Sequence, residues 1–161
     1  MLFWKNLLFT IVVPGTVTVL LPIWVLRGSG DGAPERWGAP QLLALLPLAA
    51  GAAVLLRCIW EFGRVGRGTP APFDPPKELV VSGLYRYVRN PMYLGVLLIL
   101  LGEALFFQSR ALLVYAAACG LLYHLIVLLY EEPALTRSFG DSYARYRRSV
   151  GRWLPGRPYP G

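Results

Sequence analysis

Apolar residues fall in four long runs along this chain, and polar residues collect between and after them. The runs are Leu7 to Leu26, Gln41 to Trp60, Pro91 to Phe107 and Ala111 to Tyr130. About 20 apolar residues, wound as a helix, cross a hydrocarbon core of about 30 Å. Each run therefore predicts a membrane-spanning helix. Pro14 and Pro22 predict kinks in the first. Arg57 interrupts the second near its end, where a long side chain can snorkel to the interface. Only Gln108, Ser109 and Arg110 separate the last two runs, which predicts a tight helical hairpin. Gly51, Ala52, Ala53, Gly95, Gly102 and Gly120 predict close helix packing. Lys5 precedes the first run as in a signal peptide, but that run is long for the role and no clean small-x-small cleavage site follows. A retained helix is expected.

The polar segments have different characters. The loop 61–90 is long for a membrane connection. Gly63, Gly66, Gly68, Pro70, Pro72, Pro75 and Pro76 make its first half irregular. Long ordered loops are usually functional. In the tail 131–161, Leu135, Phe139, Tyr143, Tyr146 and Val150 recur at helical spacing, with arginines on the other face. That pattern predicts an amphipathic helix lying in the interface, broken at Gly140-Asp141 with Asp141 as an N-cap.

Composition narrows the class. The 161 residues allow one domain, 1–161. An apolar share of 55% and a mean hydropathy of +0.48 argue against an ordinary soluble domain. The result is an all-α membrane bundle of about four spans. Cys58 and Cys119 both lie within apolar runs, so neither a disulfide framework nor a zinc spacing is implied. A single histidine argues against a histidine-built metal site. The net charge is +7, and the basic residues flank the apolar runs. Anionic headgroups explain this better than nucleic acid. Arg64, Arg67, Lys77, Arg86 and Arg89 in the loop, and six arginines in the tail, belong on the cytoplasmic side with Lys5. An even number of spans puts them there.

Few residues offer chemistry. Glu131 and Glu132 stand where the fourth helix is expected to end, and a helix C-terminus disfavours carboxylates. A cation must compensate them, either a protein arginine or a cationic ligand such as a sulfonium or an amine. Pro133 is expected to stop the helix. Asn90-Pro91 reads as an N-cap and first turn, and also as a set of free N–H groups facing a ligand. Tyr85, Tyr87 and Tyr93 read as interface aromatics or as the walls of an adenine-sized pocket. His124 shares a helix face with Glu131, as a functional group or as a hydrogen-bonded neutral ring between helices. Glu103 reads as structural.

Four motifs in order resemble the isoprenylcysteine carboxyl methyltransferase family, part of a wider group that includes phospholipid N-methyltransferases. They are Ser82-Gly83-Leu84-Tyr85, the helix opening from Arg89 to Gly95, the Glu131-Glu132 pair, and Phe139-Gly140 followed by Tyr143 and Tyr146. The resemblance covers roughly the C-terminal half. It implies S-adenosylmethionine as methyl donor, with contacts on Lys77, Glu78, Leu79, Val80, Tyr85, Asn90, Pro91, Met92, Tyr93, Glu131 and, as in the phospholipid enzymes, Glu132. It implies a lipophilic acceptor entering from the bilayer: a prenylcysteine-like carboxylate, a phospholipid amine or a related lipid. Asn90 stands where the family has histidine, and Val127 where the prenylcysteine enzymes have an arginine tied to substrate. The donor site is therefore better supported than the acceptor site. If the acceptor needs a base, His124 is the candidate. The expected location is the inner membrane of a prokaryote. An NADPH-dependent enzyme resembling sterol reductases, and a non-enzymatic membrane interaction protein, are the competing readings.

Overall fold

The computed structural model describes residues 12–34, 36–61, 64 and 78–160. Lys5, the start of the first run, Lys77 and most of the glycine- and proline-rich part of the loop lie outside the described residues. The described residues are helical, with no strand and one isolated bridge between Val88 and Gly151. The helices are α1 (Val12–Ser29), α2 (Ala39–Glu61), α3 (Pro91–Phe107) and α4 (Arg110–Ser149). By length and composition α1, α2 and α4 can each cross a membrane, while α3 is shorter. At 1.5 Å per residue α3 is about 25 Å long. It is buried on several sides, through Gly95, Val96, Leu100, Gly102 and Ala104, so α2 and α4 shield much of it from lipid. The outer faces of the other helices expose Val19, Leu20 and Trp24, then Leu42, Leu46 and Leu56, then Leu113, Val114, Leu121 and Leu129. An apolar exterior of this extent belongs in hydrocarbon.

Small residues set the closest contact. A Cβ on Gly51 would stand 2.6 Å from the Gly95 carbonyl oxygen, and one on Gly102 would stand 2.7 Å from Leu48 Cγ. These contacts pair rising numbers in α2 with falling numbers in α3, so the two helices are antiparallel. Gln41, buried at the start of α2, donates to the Phe106 carbonyl at 2.9 Å and pins the far end. Gln108 adopts a left-handed backbone and Ser109 caps α4 by accepting from Leu112 N–H, forming the expected hairpin.

Pro133 does not stop its helix, contrary to expectation, and the helix likewise continues through Pro22. A π-helical turn, Thr16–Leu20 or Val127–Glu131, precedes each proline and takes up the ring and the missing N–H. Helix α4 therefore continues past Pro133, and its later part extends beyond the roughly 20 residues that a hydrocarbon core takes up. The glutamate pair is not at a helix C-terminus, so the macrodipole argument does not apply to it. The tail helix does kink at Gly140, where φ is +48°. Asp141 is exposed and caps nothing. The apolar tail residues do not lie open to an interface. Tyr143, Tyr146 and Val150 are buried against Leu79, Val81 and Tyr159.

Candidate functional site

The site end of the bundle is built on the last residue of α2. Glu61 is 4% exposed, and it accepts from Ser82 Oγ at 2.7 Å and pairs with Arg57 at 2.6 Å. Gly83 turns directly over this carboxyl with φ +55°, and a Cβ there would stand 2.8 Å from it. The Ser-Gly motif thus docks a corner of the loop onto α2. Residues 79–81 then alternate: Val80 packs on Cys58 and Tyr85, while Leu79 and Val81 pack on the tail helix. Tyr85 is buried 7% exposed, against Cys58 and Val80, and burial pushes its hydroxyl well above the ordinary tyrosine range. Its carbonyl accepts from Tyr146 Oη at 2.6 Å. Tyr85 is thus packed in the core at this end of the bundle.

Helix α3 begins at Pro91, as expected, but Asn90 does not cap it with its side chain. Its Nδ2 donates to the Arg152 carbonyl at 3.1 Å. Pro91 is buried, and Met92 packs between two parts of the core. Tyr93 faces α4. Its ring stacks on Tyr123 with centroids 4.5 Å apart, and its hydroxyl donates to Glu131 Oε1.

The two glutamates have opposite surroundings. About 20 residues of α4 cross the hydrocarbon, so both lie just past its edge. Glu132 is 5% exposed. Arg152 donates to its two oxygens from Nε at 2.6 Å and Nη2 at 3.0 Å, and Arg89 Nη1 is 2.9 Å from Oε1. Arg147 stands 3.9 Å away. Burial opposes ionisation here, but the Arg152 hydrogen bond and the charges of Arg89, Arg152 and Arg147 outweigh it and hold the carboxyl below the usual glutamate range. Glu131 has no cation beside it among the described residues. Burial raises its carboxyl, the Tyr93 hydrogen bond opposes that rise, and the neighbouring Glu132 charge adds to it.

A strap that sequence reasoning missed closes the site. Val150–Tyr159 runs back along Arg86–Asn90, with Arg89 N–H donating to Gly151 O at 2.9 Å, Gly156 N–H to Tyr87 O at 2.8 Å and Tyr159 N–H to Arg86 O at 2.9 Å. It places Trp153 beside Tyr93, ring centroids 6.5 Å apart, and beside His124, whose Nδ1 accepts from Trp153 Nε1 at 3.1 Å. The arginines of this segment drew attention as charge alone, and nothing in their spacing indicates which carboxylate they meet.

Of the sequence-predicted residues, Asn90, Tyr93, His124, Glu131 and Glu132 come together around the strap. Leu79, Val80, Tyr85, Pro91 and Met92 support them from the core, and Glu78 is exposed. No group of three or more metal-ligating side chains occurs among the described residues.

The family model described as phospholipid methyltransferase matches residues 40–142. Among curated proteins, the chain is 31% identical over 135 residues to a phosphatidylethanolamine N-methyltransferase of Arthroderma benhamiae, covering 76% of this chain and 14% of the fungal protein. It is 33% identical over 84 residues to a protein-S-isoprenylcysteine O-methyltransferase of Schizosaccharomyces pombe, covering 48% and 33%. It is 30% identical over 100 residues to a methanethiol S-methyltransferase of Crocosphaera subtropica, covering 62% and 36%. The chain thus spans about a third or less of the length of these relatives. No solved structure matches. With the four motifs in order and the glutamate pair set at the membrane edge, the chain belongs to the phospholipid methyltransferase family.

Proposed function

We propose that this protein is an S-adenosylmethionine-dependent methyltransferase of the membrane that methylates a lipophilic acceptor. The observation that carries the reading is Glu131. It is a half-buried carboxylate oriented by Tyr93, with no cation beside it among the described residues, next to a Glu132 that is already neutralised by arginines. Such a group suits a cationic ligand. The donor supplies an activated methyl group bearing positive charge on sulfur. Glu131 and Tyr93 would hold its cationic or hydroxyl groups, and the backbone of Glu78–Val80 and of Asn90–Met92 would supply further contacts. Glu132 serves the fold. Lys77 stays a proposed contact that lies outside the described residues.

Methyl transfer to an existing nucleophile needs in-line placement and exclusion of water more than acid–base help. The loop, the start of α3 and the strap supply that enclosure. The relatives' names span amine, carboxylate and thiol acceptors, so the acceptor is proposed only as lipid or prenylcysteine-like. The site end is proposed to face the cytoplasm, in an inner membrane of a prokaryote.

Calorimetric titration of S-adenosylmethionine into detergent-purified protein tests the reading. The parent is expected to bind. Glu131→Gln is expected to lose about tenfold or more, the scale of a hydrogen bond to a charged group, and Tyr93→Phe a smaller factor. A folded parent that binds NADPH instead selects the reductase. One that binds neither selects the non-enzymatic reading.

A further inference from the structure

His124 has one ring nitrogen already occupied. Trp153 Nε1 donates to its Nδ1 at 3.1 Å. An indole N–H is a donor only, so Nδ1 holds a lone pair and the neutral ring carries its proton on Nε2. A general base must present a bare nitrogen to the acceptor, and here the bare nitrogen faces Trp153. The side chain instead offers a donor. Its Nε2–H has no hydrogen-bond partner among the described residues.

The location gives that donor a use. His124 is part-buried, about two turns before Glu131 and on the same face, and Leu121, Leu122 and Leu125 nearby are exposed on an apolar exterior. That places it about 10 Å along the helix on the hydrocarbon side of Glu131, where an N–H without an acceptor costs about 2 kcal/mol or more. An acceptor drawn in from the bilayer toward Glu131 and Tyr93 would bring its polar group past this N–H. Trp153 itself is held from three sides: Arg152 by the Glu132 carboxylate, the Arg152 carbonyl by Asn90, and Gly151 by the Arg89 N–H. The strap also lies beyond residues 40–142, the part that matches the family.

We infer that His124 donates its Nε2–H to a phosphodiester or carboxylate oxygen of the lipid acceptor, and that Trp153 is the residue that positions it. The inference rests on the lipid-acceptor reading above and makes His124 a binding group in place of a base. It predicts that the acceptor carries an oxygen anion close to the atom that is methylated.

His124 is the only histidine in the chain, so [15N]histidine labelling with a histidine-free tag reads it alone. In maltoside micelles, which carry neither phosphate nor carboxylate, the parent is expected to show a protonated Nε2 and a bare Nδ1. Trp153→Phe keeps a ring but removes the N–H, and should give a mixture of tautomers. Short-chain phosphatidylethanolamine or S-farnesylcysteine should shift Nε2 saturably, the responding probe distinguishing phosphodiester from carboxylate. In turnover with that probe, His124→Leu should raise KM about tenfold more than it lowers kcat. His124→Gln, whose amide can accept from Trp153 and still donate, should recover most of the loss. A proton on Nδ1 overturns the inference. So does an Nε2 signal that neither probe moves while S-adenosylhomocysteine still binds, an outcome that leaves the methyltransferase reading intact. A saturable Nε2 shift with no binding of S-adenosylhomocysteine removes the methyltransferase reading and overturns the acceptor role of His124, leaving only a lipid-oxyanion contact there.

Discussion

Adjacent carboxylates in α4 do different work because they face different partners. Glu132 is a tie between the strap, the loop end at Arg89 and the helix. Its carboxyl titrates lower in the folded protein than in the unfolded chain. The stability it contributes is therefore fully present above the ordinary glutamate range and is lost as pH falls through the depressed folded value. Glu132→Gln should cost about 3 kcal/mol or more at neutral pH, because Arg89, with a side chain only 9% exposed, is left without a full counter-charge. The variant's melting temperature should also vary less with pH in the acid range than the parent's. Glu131 has the opposite sign: its carboxyl is raised on folding, so its ionised form disfavours the fold near neutrality. Glu131→Gln should raise the melting temperature while it weakens donor binding. Scanning fluorimetry of both variants across pH checks this, and equal destabilisation by the two would refute the division of roles. The sequence singled out the pair but could not divide it, since neighbouring residues share every local property. The capping role of Asn90 was misread for a related reason. An asparagine before a proline has a local role that the carbonyl of Arg152 overrides.

At the scale of elements, the runs of apolar residues were legible because spanning a bilayer imposes length and composition on each helix separately. Pro91–Phe107 matches its expected bounds residue for residue, and the hairpin at Gln108–Arg110 forms as read. The continuation of α4 through Pro133 was not legible. Whether a proline ends a helix or is absorbed by a π turn depends on whether the next residues have something to pack on, and here Leu135, Phe139 and Tyr143 pack on the loop. Gly51, Gly95 and Gly102 have the close-packing role read from sequence, whereas Ala52 and Ala53 are exposed because they fall on the outer side of α2. Gly51→Ala should therefore cost about 1–3 kcal/mol, since its Cβ would lie 2.6 Å from a backbone oxygen that cannot swing aside. Gly120→Ala should be tolerated, because the nearest atom to its Cβ would be a Leu97 methyl at 3.6 Å. Thermal denaturation in detergent compares the two directly, and similar losses would count against close packing as the reason.

For the whole molecule, one end of the bundle holds the packing and the other holds the chemistry. The strap joins the loop, the start of α3 and α4 at that second end. Removing residues 151–161 should leave the helices folded by circular dichroism but abolish S-adenosylmethionine binding and expose the Arg86–Arg89 segment to trypsin. Unchanged protection would show that the loop holds its conformation without the strap. By itself the sequence determined the membrane class, the apolar helices, the tight hairpin of the last two and the resemblance to membrane methyltransferases. Each of these is written in composition, run length or local motif, which a linear reading samples directly. Only the tertiary structure decided which glutamate Arg89 and Arg152 pair with, which nitrogen of His124 faces Trp153, and that Arg152 and Trp153 belong to the site. Those facts arise from pairings across 20 to 62 residues of chain, where burial and hydrogen-bond geometry choose one partner among many of the same chemical type.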